Sequence, residues 1–404
     1  MLSKWCEEIE AMYSKMVEWR RHFHENPELS FQEVNTSKMI GDLLESFGIE
    51  IRRNVGGNGV VGKIRGAKPG KTIALRADFD ALPIQDEKDV PFKSKVDGIM
   101  HACGHDGHTA TLLAVAKVLN DNKESLAGNI VLLHQHAEEL PPGGAIAMIE
   151  DGCLDGVDVV FGAHLASGNA LGEVLYGVGP ASAASDTFEL KIQGKGGHGA
   201  SPHQTIDSIA IGAQIANQLK HIVSRRVNPQ KPAVISIGSF HAGNAGNVIA
   251  DTAEITGTVR TFDEDVRDLI EKEMDELISG VCKAFHATYE FDYSRGYPST
   301  VNTQEETDIL VECITANLPD QKLVEIVKPG MGGEDFAYYL QHRPGSFFSV
   351  GARNEEIGAV YPHHHPMFTF DERAMLHTAK IFLSLVDYYL NPEKADALVE
   401  STTI

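Results

Sequence analysis

The feature that most constrains the fold of this chain is a change of secondary-structure pattern that begins near Pro180 and ends near Tyr297. Before it, short apolar or β-branched runs alternate with stretches of helical periodicity, and the same alternation returns after it. Strands that alternate with helices predict an α/β domain with helices on both faces of its sheet. A chain of 404 residues has room for this domain and for a second one inserted into it.

The outer parts of the chain carry the elements of the larger α/β domain. The sequence predicts helices over 2–24, 33–47 and 109–119, and strands over 59–64, 71–77, 129–136 and 157–164. Several of these strands end in polar residues. In open α/β sheets ligands bind outside the carboxyl ends of the strands, so that edge is where we expect a functional site.

The pattern of the inserted segment predicts the order strand, helix, strand, strand, helix, strand. The sequence predicts strands over 186–193, 233–240, 253–262 and 288–293, and helices over 206–223 and 265–284. This β-α-β-β-α-β order is typical of a compact α+β unit with its helices on one sheet face. We therefore predict one domain from residues 1–184 and 297–404, with residues 185–296 as an inserted second domain.

Charge and composition exclude several classes of function. A net charge of −22 argues against nucleic-acid binding and against adhesion to anionic membranes, because both need clustered Lys and Arg. No apolar run is long enough for a membrane span, and the opening MLSKWCEE lacks a signal-peptide core, so we expect a cytoplasmic protein. Five cysteines, odd in number and far apart, argue against a disulfide framework.

The chain has 18 histidines, and many of them lie in short blocks. The block HACGHDGH, at 101–108, precedes a predicted helix and offers Cys103 and His105 as ligands for a zinc-like or manganese-like ion. Taken alone, the block is more typical of a polar turn with a helix cap and a buried cysteine than of a metal site. Further blocks favour the metal site: His164 ends a predicted strand, and the histidine triplet 363–365 lies late in the chain.

Glu138 and Glu139 follow the strand predicted over 129–136. Adjacent side chains at a strand end point in opposite directions, so one carboxylate can bind a cation while the other handles the protons of a water molecule. Together the blocks offer enough Cys, His and Glu ligands for two ions that share a bridging ligand.

The inserted segment contains the glycine-rich stretch GKGGHGASPH at 194–203. It lacks the Gly-Lys-Ser/Thr of a nucleotide-binding loop, so a nucleotide site is not expected. Asn247 and Arg260 lie further along the insert. Arginine is well shaped to bind a substrate carboxylate, although Arg260 alone is equally consistent with a surface ion pair.

These motifs resemble the amidohydrolase branch of the aminoacylase/carboxypeptidase metallopeptidases, which includes hippurate hydrolases, N-acyl-amino-acid amidohydrolases, N-acetyldiaminopimelate deacetylases and auxin–amino acid conjugate hydrolases. The resemblance runs in order through RRHFHENPELS at 20–30, HACGHDGHTA at 101–110, AEE at 137–139, GKGGH at 194–198, GGEDF at 332–336 and the late His-His-Pro. It covers nearly the whole chain. It implies an α/β catalytic domain of the two-metal zinc-peptidase type, with an inserted α+β lid or dimerisation domain.

The resemblance also implies roles for individual residues. Cys103 would bridge two metal ions, and the other ligands would be His105, Glu139, His164 and His364. Glu138 would be the general base. His198 would reach across a dimer and stabilise the oxyanion, with Asn247 and Arg260 near the substrate carboxylate. The chain departs from the family in having His136 where proline is usual before Ala-Glu-Glu. A histidine triplet replaces the usual His-Ser-Pro, which leaves the last ligand open among residues 363, 364 and 365.

The function expected from the sequence is metal-dependent hydrolysis of N-acyl amino acids to a carboxylic acid and a free amino acid. The cofactors would be two divalent ions per chain, of zinc, manganese, nickel or cobalt. The partners would be the small-molecule substrate and further copies of the chain in a homodimer or homotetramer, with no nucleic acid and no membrane. Three alternatives stay open at this point: a dipeptidase or carboxypeptidase acting on short peptides, a non-catalytic metal-binding homologue, and a thiol hydrolase that uses Cys103 with His105.

Overall fold

The computed structural model describes residues 1–391 and 393, and these residues form two compact units. The first unit contains Met1–Ala181, Val301–Lys328 and the described residues from Asp335 onward, and the second contains Ser182–Thr300 and Pro329–Glu334. This division differs by a few residues from the predicted domains 1–184 with 297–404 and 185–296. It also assigns 329–334 to the second unit. Residues 392 and 394–404 of the predicted range 297–404 lie outside the described residues.

The described residues contain ten α-helices. They are α1 (Leu2–Ala11), α2 (Tyr13–Glu25), α3 (Val34–Ser46), α4 (His105–Asp121), α5 (Ala145–Glu150), α6 (Ser208–Arg225), α7 (Glu264–Ala284), α8 (Gln304–Asn317), α9 (Phe336–His342) and α10 (Arg373–Leu390). None of them, within the described residues, is long and apolar enough to cross a lipid bilayer.

The described residues also contain sixteen β-strands and three short 3-10 helices. The strands are β1 (Glu50–Val55), β2 (Gly59–Arg65), β3 (Lys68–Asp78), β4 (Ala127–Gln135), β5 (Val159–Ala170), β6 (Glu173–Tyr176), β7 (Gly179–Ser182), β8 (Ala184–Gln193), β9 (Gly197–His198), β10 (Ala233–Ala242), β11 (Val248–Ile249), β12 (Thr252–Thr261), β13 (Thr288–Ser294), β14 (Thr300–Asn302), β15 (Lys322–Glu325) and β16 (Gly345–Arg353).

The first unit is built on an eight-stranded sheet with the strand order β1-β2-β4-β3-β5-β16-β6-β15. The four central strands are parallel, because β3 pairs in parallel with both β4 and β5, and β5 pairs in parallel with β16. Their carboxyl ends therefore lie at one edge of the sheet.

Helices cover both faces of this sheet, as the strand–helix alternation predicted. Ile73 and Leu75 of β3 belong to the larger hydrophobic core, to which α4 and α10 contribute, whereas Ala74 belongs to a smaller core with Met148 of α5 and Phe336 of α9. Successive side chains of a strand point to opposite faces, so β3 is apolar on both faces over residues 73–75, whereas the buried Arg76 and Asp78 lie at its end. The α/β fold class is confirmed.

Three predicted elements have different bounds. The helix predicted over 2–24 is two helices, α1 and α2, although Met12 between them keeps near-helical dihedral angles (φ −84°, ψ −6°). Helix α4 begins at His105 rather than at Thr109, because Gly104 adopts a left-handed conformation (φ 99°) that turns the chain into the helix. Strand β5 does not end at His164, since pairing with β16 continues to Ala170.

The second unit has the predicted β-α-β-β-α-β order in β8, α6, β10, β12, α7 and β13. Its four-stranded antiparallel sheet has the order β10-β12-β8-β13. Apolar residues recur at helical spacing on α6 and α7 and form one core with alternate residues of β8 and β12. Asp207 and Asp263 cap the two helices by accepting hydrogen bonds from backbone N–H groups of the first turn. Short strands β9 and β11 pair beside this sheet.

Candidate metal centre

The candidate centre lies where β3 and β4 end, beside His164 of the neighbouring strand β5. Asp78 is the last residue of β3, and Glu138 and Glu139 come three and four residues after the end of β4. His164 lies on β5, on the other side of β3 from β4. Polar residues at the ends of β3 and β4 and on β5 are therefore brought together, at the carboxyl edge where the sequence predicted a functional site.

Cys103 and His105 reach the same edge from the start of α4. The sulfur of Cys103 lies 3.4 Å from Nε2 of His164. The other ring nitrogen of His164 lies 2.9 Å from the carbonyl oxygen of Leu165 and donates a hydrogen bond to it. That bond fixes the tautomer, so the lone pair of Nε2 faces the sulfur.

Cys103 belongs to two groups of potential ligands. Its sulfur lies with one side-chain nitrogen of His105 and one of His164, all within 4.8 Å of one another. It also lies with ligand atoms of Glu139 and His364 within the same limit. The structure thus brings together all five residues that the resemblance assigns to metal binding, with Cys103 common to both groups.

His105 is oriented by a carboxylate that the sequence analysis missed. Its Nδ1 lies 3.0 Å from Oδ1 of Asp80. Its Nε2 faces the centre and lies 3.8 Å from carboxylate oxygens of Glu138 and Glu139. Burial disfavours the charged imidazole, but the charges of Asp78, Asp80 and Glu139 outweigh it and raise the pKa of His105 to about 10. The centre is therefore a strongly negative environment that favours a cation.

The thiol of Cys103 is not activated as a nucleophile. Burial and the neighbouring carboxylates of Glu139 and Glu138 raise the pKa of Cys103 well above its usual value. A cysteine nucleophile needs the opposite environment, with a positive charge that lowers its pKa. The thiolate of Cys103 would be favoured only with a cation bound beside it, which argues against the thiol-hydrolase alternative.

The histidine triplet separates into three environments. Nε2 of His364 lies 3.4 Å from Oε1 of Glu139, whereas Nε2 of His363 accepts a hydrogen bond from the backbone of Ser167 at 3.2 Å. His365 stacks on Tyr361, with ring centroids 4.6 Å apart. His364 has a left-handed backbone (φ 64°), and its N–H donates to the carbonyl oxygen of residue 102. Of the three, His364 is the one that faces Cys103 and Glu139.

Two buried atoms of the centre fit a metal ion. Nε2 of His105 and Oε1 of Glu139 are buried and make no hydrogen bond within the described part of the chain. A buried polar atom without a partner is costly, and both are ligand atoms of divalent metals. Glu138 is also buried, and one of its carboxylate oxygens lies within 4.8 Å of ligand atoms of His105 and Glu139. The centre thus combines two buried ligand atoms, which make no hydrogen bond among the described residues, with a second carboxylate.

Asp78 and His108 form a hydrogen-bonded pair beside the centre. Nδ1 of His108 lies 2.6 Å from Oδ1 of Asp78, and its Nε2 accepts the backbone N–H of Leu165 at 3.0 Å. Both ring nitrogens are therefore occupied, which leaves His108 no lone pair for a metal ion. Asp78 in turn contacts Arg76, whose guanidinium also binds Asp335 at 2.7 Å.

One feature of the sequence could have pointed to Asp78 and Asp80. The run RADFD at 76–80 comes at the end of a predicted buried strand, where charged residues are unusual. The pattern by itself indicates the end of a strand and assigns no role to Asp78 or Asp80. Pairing of the carboxylates with specific histidines depends on the sheet order, which places β3 between β4 and β5.

His198, Asn247 and Arg260 lie in the second unit. His198 is on β9, where it pairs in register with Val248 of β11, and Gly199 donates a backbone hydrogen bond to the carbonyl oxygen of Asn247 at 2.8 Å. The side chain of His198 is exposed, and its Nδ1 accepts the N–H of residue 200. His198 and Asn247 are therefore neighbours.

Arg260 lies elsewhere in that unit. It lies near the end of β12 and pairs with Ser185 near the start of β8. Thr252, at the other end of β12, pairs with Gln193, the last residue of β8 before the chain continues to β9. The guanidinium of Arg260 donates to the backbone oxygens of Asp186 and Val259. Within one copy of the unit, Arg260 is thus separated from His198 and Asn247 along the length of the sheet.

Cysteine, histidine and paired carboxylates at the carboxyl ends of parallel strands are typical of a metal-dependent hydrolase. The chain belongs to Peptidase family M20/M25/M40, and the match to that family covers residues 74–388.

Relatives of this chain carry hydrolase names. It is 55% identical over 374 residues to YhaA of Bacillus subtilis (strain 168), which is named as an amidohydrolase, and the match covers 93% of this chain and 94% of that protein. It is 48% identical over 298 residues to the N-acyl-L-amino acid amidohydrolase of Geobacillus stearothermophilus, covering 74% of this chain and 80% of the relative. It is 45% identical over 375 residues to thermostable carboxypeptidase 2 of Saccharolobus solfataricus (strain ATCC 35092 / DSM 1617 / JCM 11322 / P2), covering 92% and 94%.

Solved structures agree with the fold. A protein from methicillin resistant Staphylococcus aureus, named as an aminohydrolase, superposes with a TM-score of 0.92 at 41% identity, covering 96% of this chain and 100% of that one. The Bacillus subtilis YXEP protein, described as a dinuclear metal binding peptidase from the M20 family, gives a TM-score of 0.81 at 37% identity, covering 93% and 98%.

Proposed function

We propose that this protein hydrolyses the amide bond of N-acyl amino acids with two divalent metal ions bound at the candidate centre. The observation that carries the proposal is the position of Cys103, whose sulfur belongs to both ligand groups, with Glu138 close to His105 and Glu139. A ligand shared by two metal ions and a second carboxylate that can move protons suit a two-metal hydrolase. The amidohydrolase name of the Geobacillus relative supports the substrate class.

The proposed ligands are His105 and His164 on one side of Cys103, and Glu139 and His364 on the other. Zinc, manganese, nickel and cobalt all suit a set of thiolate, imidazole and carboxylate ligands. When bound, two such ions supply an electrophile for the amide carbonyl and a water molecule that ionises near neutral pH.

Glu138 is the proposed general base. Its carboxylate takes a proton from the attacking water and transfers it to the nitrogen of the leaving amino acid. Burial of Glu138 at the centre restricts competing water around this proton transfer. Glu139, the adjacent carboxylate, holds a position toward His364 instead. The two acids therefore have separate proposed tasks, as expected from their adjacent positions beyond the end of β4.

The second unit supplies the remaining proposed residues. His198 of a partner copy would stabilise the oxyanion of the tetrahedral intermediate, and Asn247 and Arg260 would bind the substrate carboxylate. This assignment rests on the resemblance of the motifs, and it requires at least a homodimer, with a homotetramer as the other option. The cytoplasmic location expected from the sequence stays a prediction.

Short peptides are the alternative substrate class, and the carboxypeptidase name of the Saccharolobus relative keeps that alternative in the experiment. Both reactions break an amide bond, so the centre itself does not distinguish them. The purified protein should be assayed on acetyl-, benzoyl- and indoleacetyl-amino acids and on dipeptides, each with zinc, manganese, nickel and cobalt. Faster turnover of an N-acyl amino acid than of every dipeptide supports the proposal, and the reverse order contradicts it.

A matched pair of variants tests the centre. We expect Glu138→Gln to keep about two ions per chain while kcat falls by a factor of about 100 or more. Glu139→Gln should instead lose bound metal, as measured by elemental analysis after gel filtration. Chelation should abolish activity in the unmodified protein, and added metal should restore it. Unchanged activity in a chain shown to be free of metal would refute the proposal.

A further inference from the structure

We infer that Glu33 is a positioning residue for the general base, and this inference rests on the proposed function of Glu138. Glu33 lies at the start of α3, about a hundred residues before Glu138 in the chain. One of its carboxylate oxygens, Oε1, accepts the backbone N–H of Ala137 at 2.8 Å. Glu33 thus holds the peptide group between residues 136 and 137, one residue before Glu138.

The backbone at that point is in an unfavourable conformation. Ala137 has a positive φ of 53°, in the left-handed region that residues with a Cβ atom rarely adopt. Such a conformation persists only where the surrounding contacts impose it, and it is typical of functional sites. The hydrogen bond from Ala137 to Glu33 is one of those contacts, and the bond from Gly144 N–H to the carbonyl oxygen of Ala137 is another.

The same carboxylate oxygen also holds the segment that carries Glu33. Oε1 accepts the N–H of Phe31 at 3.0 Å, and Phe31 is a second residue with a left-handed backbone (φ 66°). The other oxygen, Oε2, accepts a hydrogen bond from the side-chain amide of Asn58 at 3.0 Å. Glu33 is fully buried, so these bonds are protected from competition with water. Oε1 of Glu33 therefore accepts hydrogen bonds from two backbone N–H groups, and both belong to residues with a positive φ.

The backbone of Glu139 is held by a different carboxylate, that of Asp80. The N–H of Glu139 donates to Oδ2 of Asp80 at 2.9 Å, and Asp80 also binds Ser30 at 2.7 Å. Loss of Glu33 should therefore displace Glu138 more than the metal-binding Glu139. The expected signature is a fall in kcat with metal content preserved, which differs from the effect of general unfolding.

The experiment compares Glu33→Ala, Glu33→Gln and the matched control Glu28→Ala. Glu28 lies in the same segment and also accepts backbone N–H groups, from Asn35 and Thr36, but it makes no bond to residues 136–144. For Glu33→Ala we expect kcat on an N-acyl amino acid to fall by about 100-fold with little change in KM, since a misplacement of about 1 Å has that effect. Gln keeps an acceptor oxygen, so Glu33→Gln should stay within about fivefold of the unmodified protein.

Hydrogen exchange provides a readout that does not depend on activity. In Glu33→Ala the peptide covering residues 136–144 should exchange about tenfold faster, because the N–H of Ala137 has lost its acceptor, whereas Glu28→Ala should leave that peptide unchanged. The inference is overturned if Glu33→Ala keeps at least half of the original kcat, if Glu33→Gln is as impaired as Glu33→Ala, or if exchange of the peptide is unaltered. If the unmodified protein hydrolyses no N-acyl amino acid, the proposed function fails, and the exchange data alone decide whether Glu33 positions the segment.

Discussion

Oδ1 of Asp80 lies 3.0 Å from Nδ1 of His105, and this contact determines which ring nitrogen of His105 faces the candidate centre. With Nδ1 donating to Asp80, the lone pair of Nε2 is left for a metal ion. Oδ2 of Asp80 accepts the backbone N–H of Glu139 at 2.9 Å. A single carboxylate therefore orients two of the proposed ligands, one on each side of Cys103.

Asp80→Ala is predicted to weaken metal binding without removing a ligand. Loss of a carboxylate that orients a ligating histidine typically reduces metal affinity by about 10- to 100-fold. The affinity is measured by competition with a chromophoric chelator. The control is Asp97→Ala, which removes an exposed carboxylate in the loop before Cys103 and should leave the affinity unchanged. An affinity that Asp80→Ala does not alter would show that His105 needs no orienting partner.

The histidine triplet gives a second prediction. His364→Ala should lower the metal content by about one ion per chain, because His364 is the histidine of the three that faces Cys103 and Glu139. His365→Ala should keep both ions, because His365 stacks on Tyr361 and its Nδ1 accepts the N–H of Met367. Elemental analysis of the two variants at equal protein concentration decides between them. Metal loss in His365→Ala with full metal content in His364→Ala would show that His365, and not His364, is the ligand.

Local sequence patterns were sufficient for most of the fold. The period of apolar residues predicted the helices α6 and α7 and the strands β8, β10, β12 and β13 to within a few residues, since each element buries one face. The short block around Cys103 was also recognisable, because its ligands are adjacent in sequence and begin a helix.

Contacts between distant segments could not be predicted in the same way. The bond from Ala137 to Glu33 spans 104 positions, and the ion pair between Arg76 and Asp335 spans 259. Such pairs depend on the order of strands in the sheet and on loop conformations, neither of which has a local signature. The same reason left the histidine triplet undecided, because three identical side chains in a row give no sequence signal for the left-handed backbone of His364 or for the different partners of the three rings.

His134 should make the first unit less stable in acid. Burial lowers the pKa of His134 to about 3, whereas an unfolded chain binds the proton near its ordinary value of 6.5. Between these values the unfolded state binds more protons, so the free energy of unfolding falls as the pH falls, by about 1.4 kcal/mol per unit. Between pH 7.5 and pH 5 the free energy of unfolding should therefore fall by about 2 kcal/mol less in His134→Gln than in the unmodified protein.

Urea unfolding of the metal-free protein measures this difference. The only two tryptophans of the chain, Trp5 and Trp19, are both buried in the first unit, so their fluorescence reports on the unit that contains His134. The control is His22→Gln, which replaces an exposed histidine and should leave the pH dependence as it is. If His134→Gln has the same pH dependence as the unmodified protein, His134 is not the buried neutral group that the structure indicates.

The second unit depends on a buried ion pair between Asp186 and Arg267. The guanidinium donates to Oδ1 of Asp186 at 2.6 Å and to Oδ2 at 2.9 Å, and the carboxylate also accepts from the Tyr293 hydroxyl at 2.8 Å. Asp186→Ala leaves Arg267 buried without its main partner, which should cost about 3–5 kcal/mol. Hydrogen exchange over residues 186–296 should rise accordingly. Asp292→Ala, on the same sheet, removes an exposed carboxylate bonded only to Ser294 among the described residues and should not change the exchange. Because every proposed metal ligand lies in the first unit, Asp186→Ala should keep its metal content, and a loss of metal in this variant would contradict that assignment.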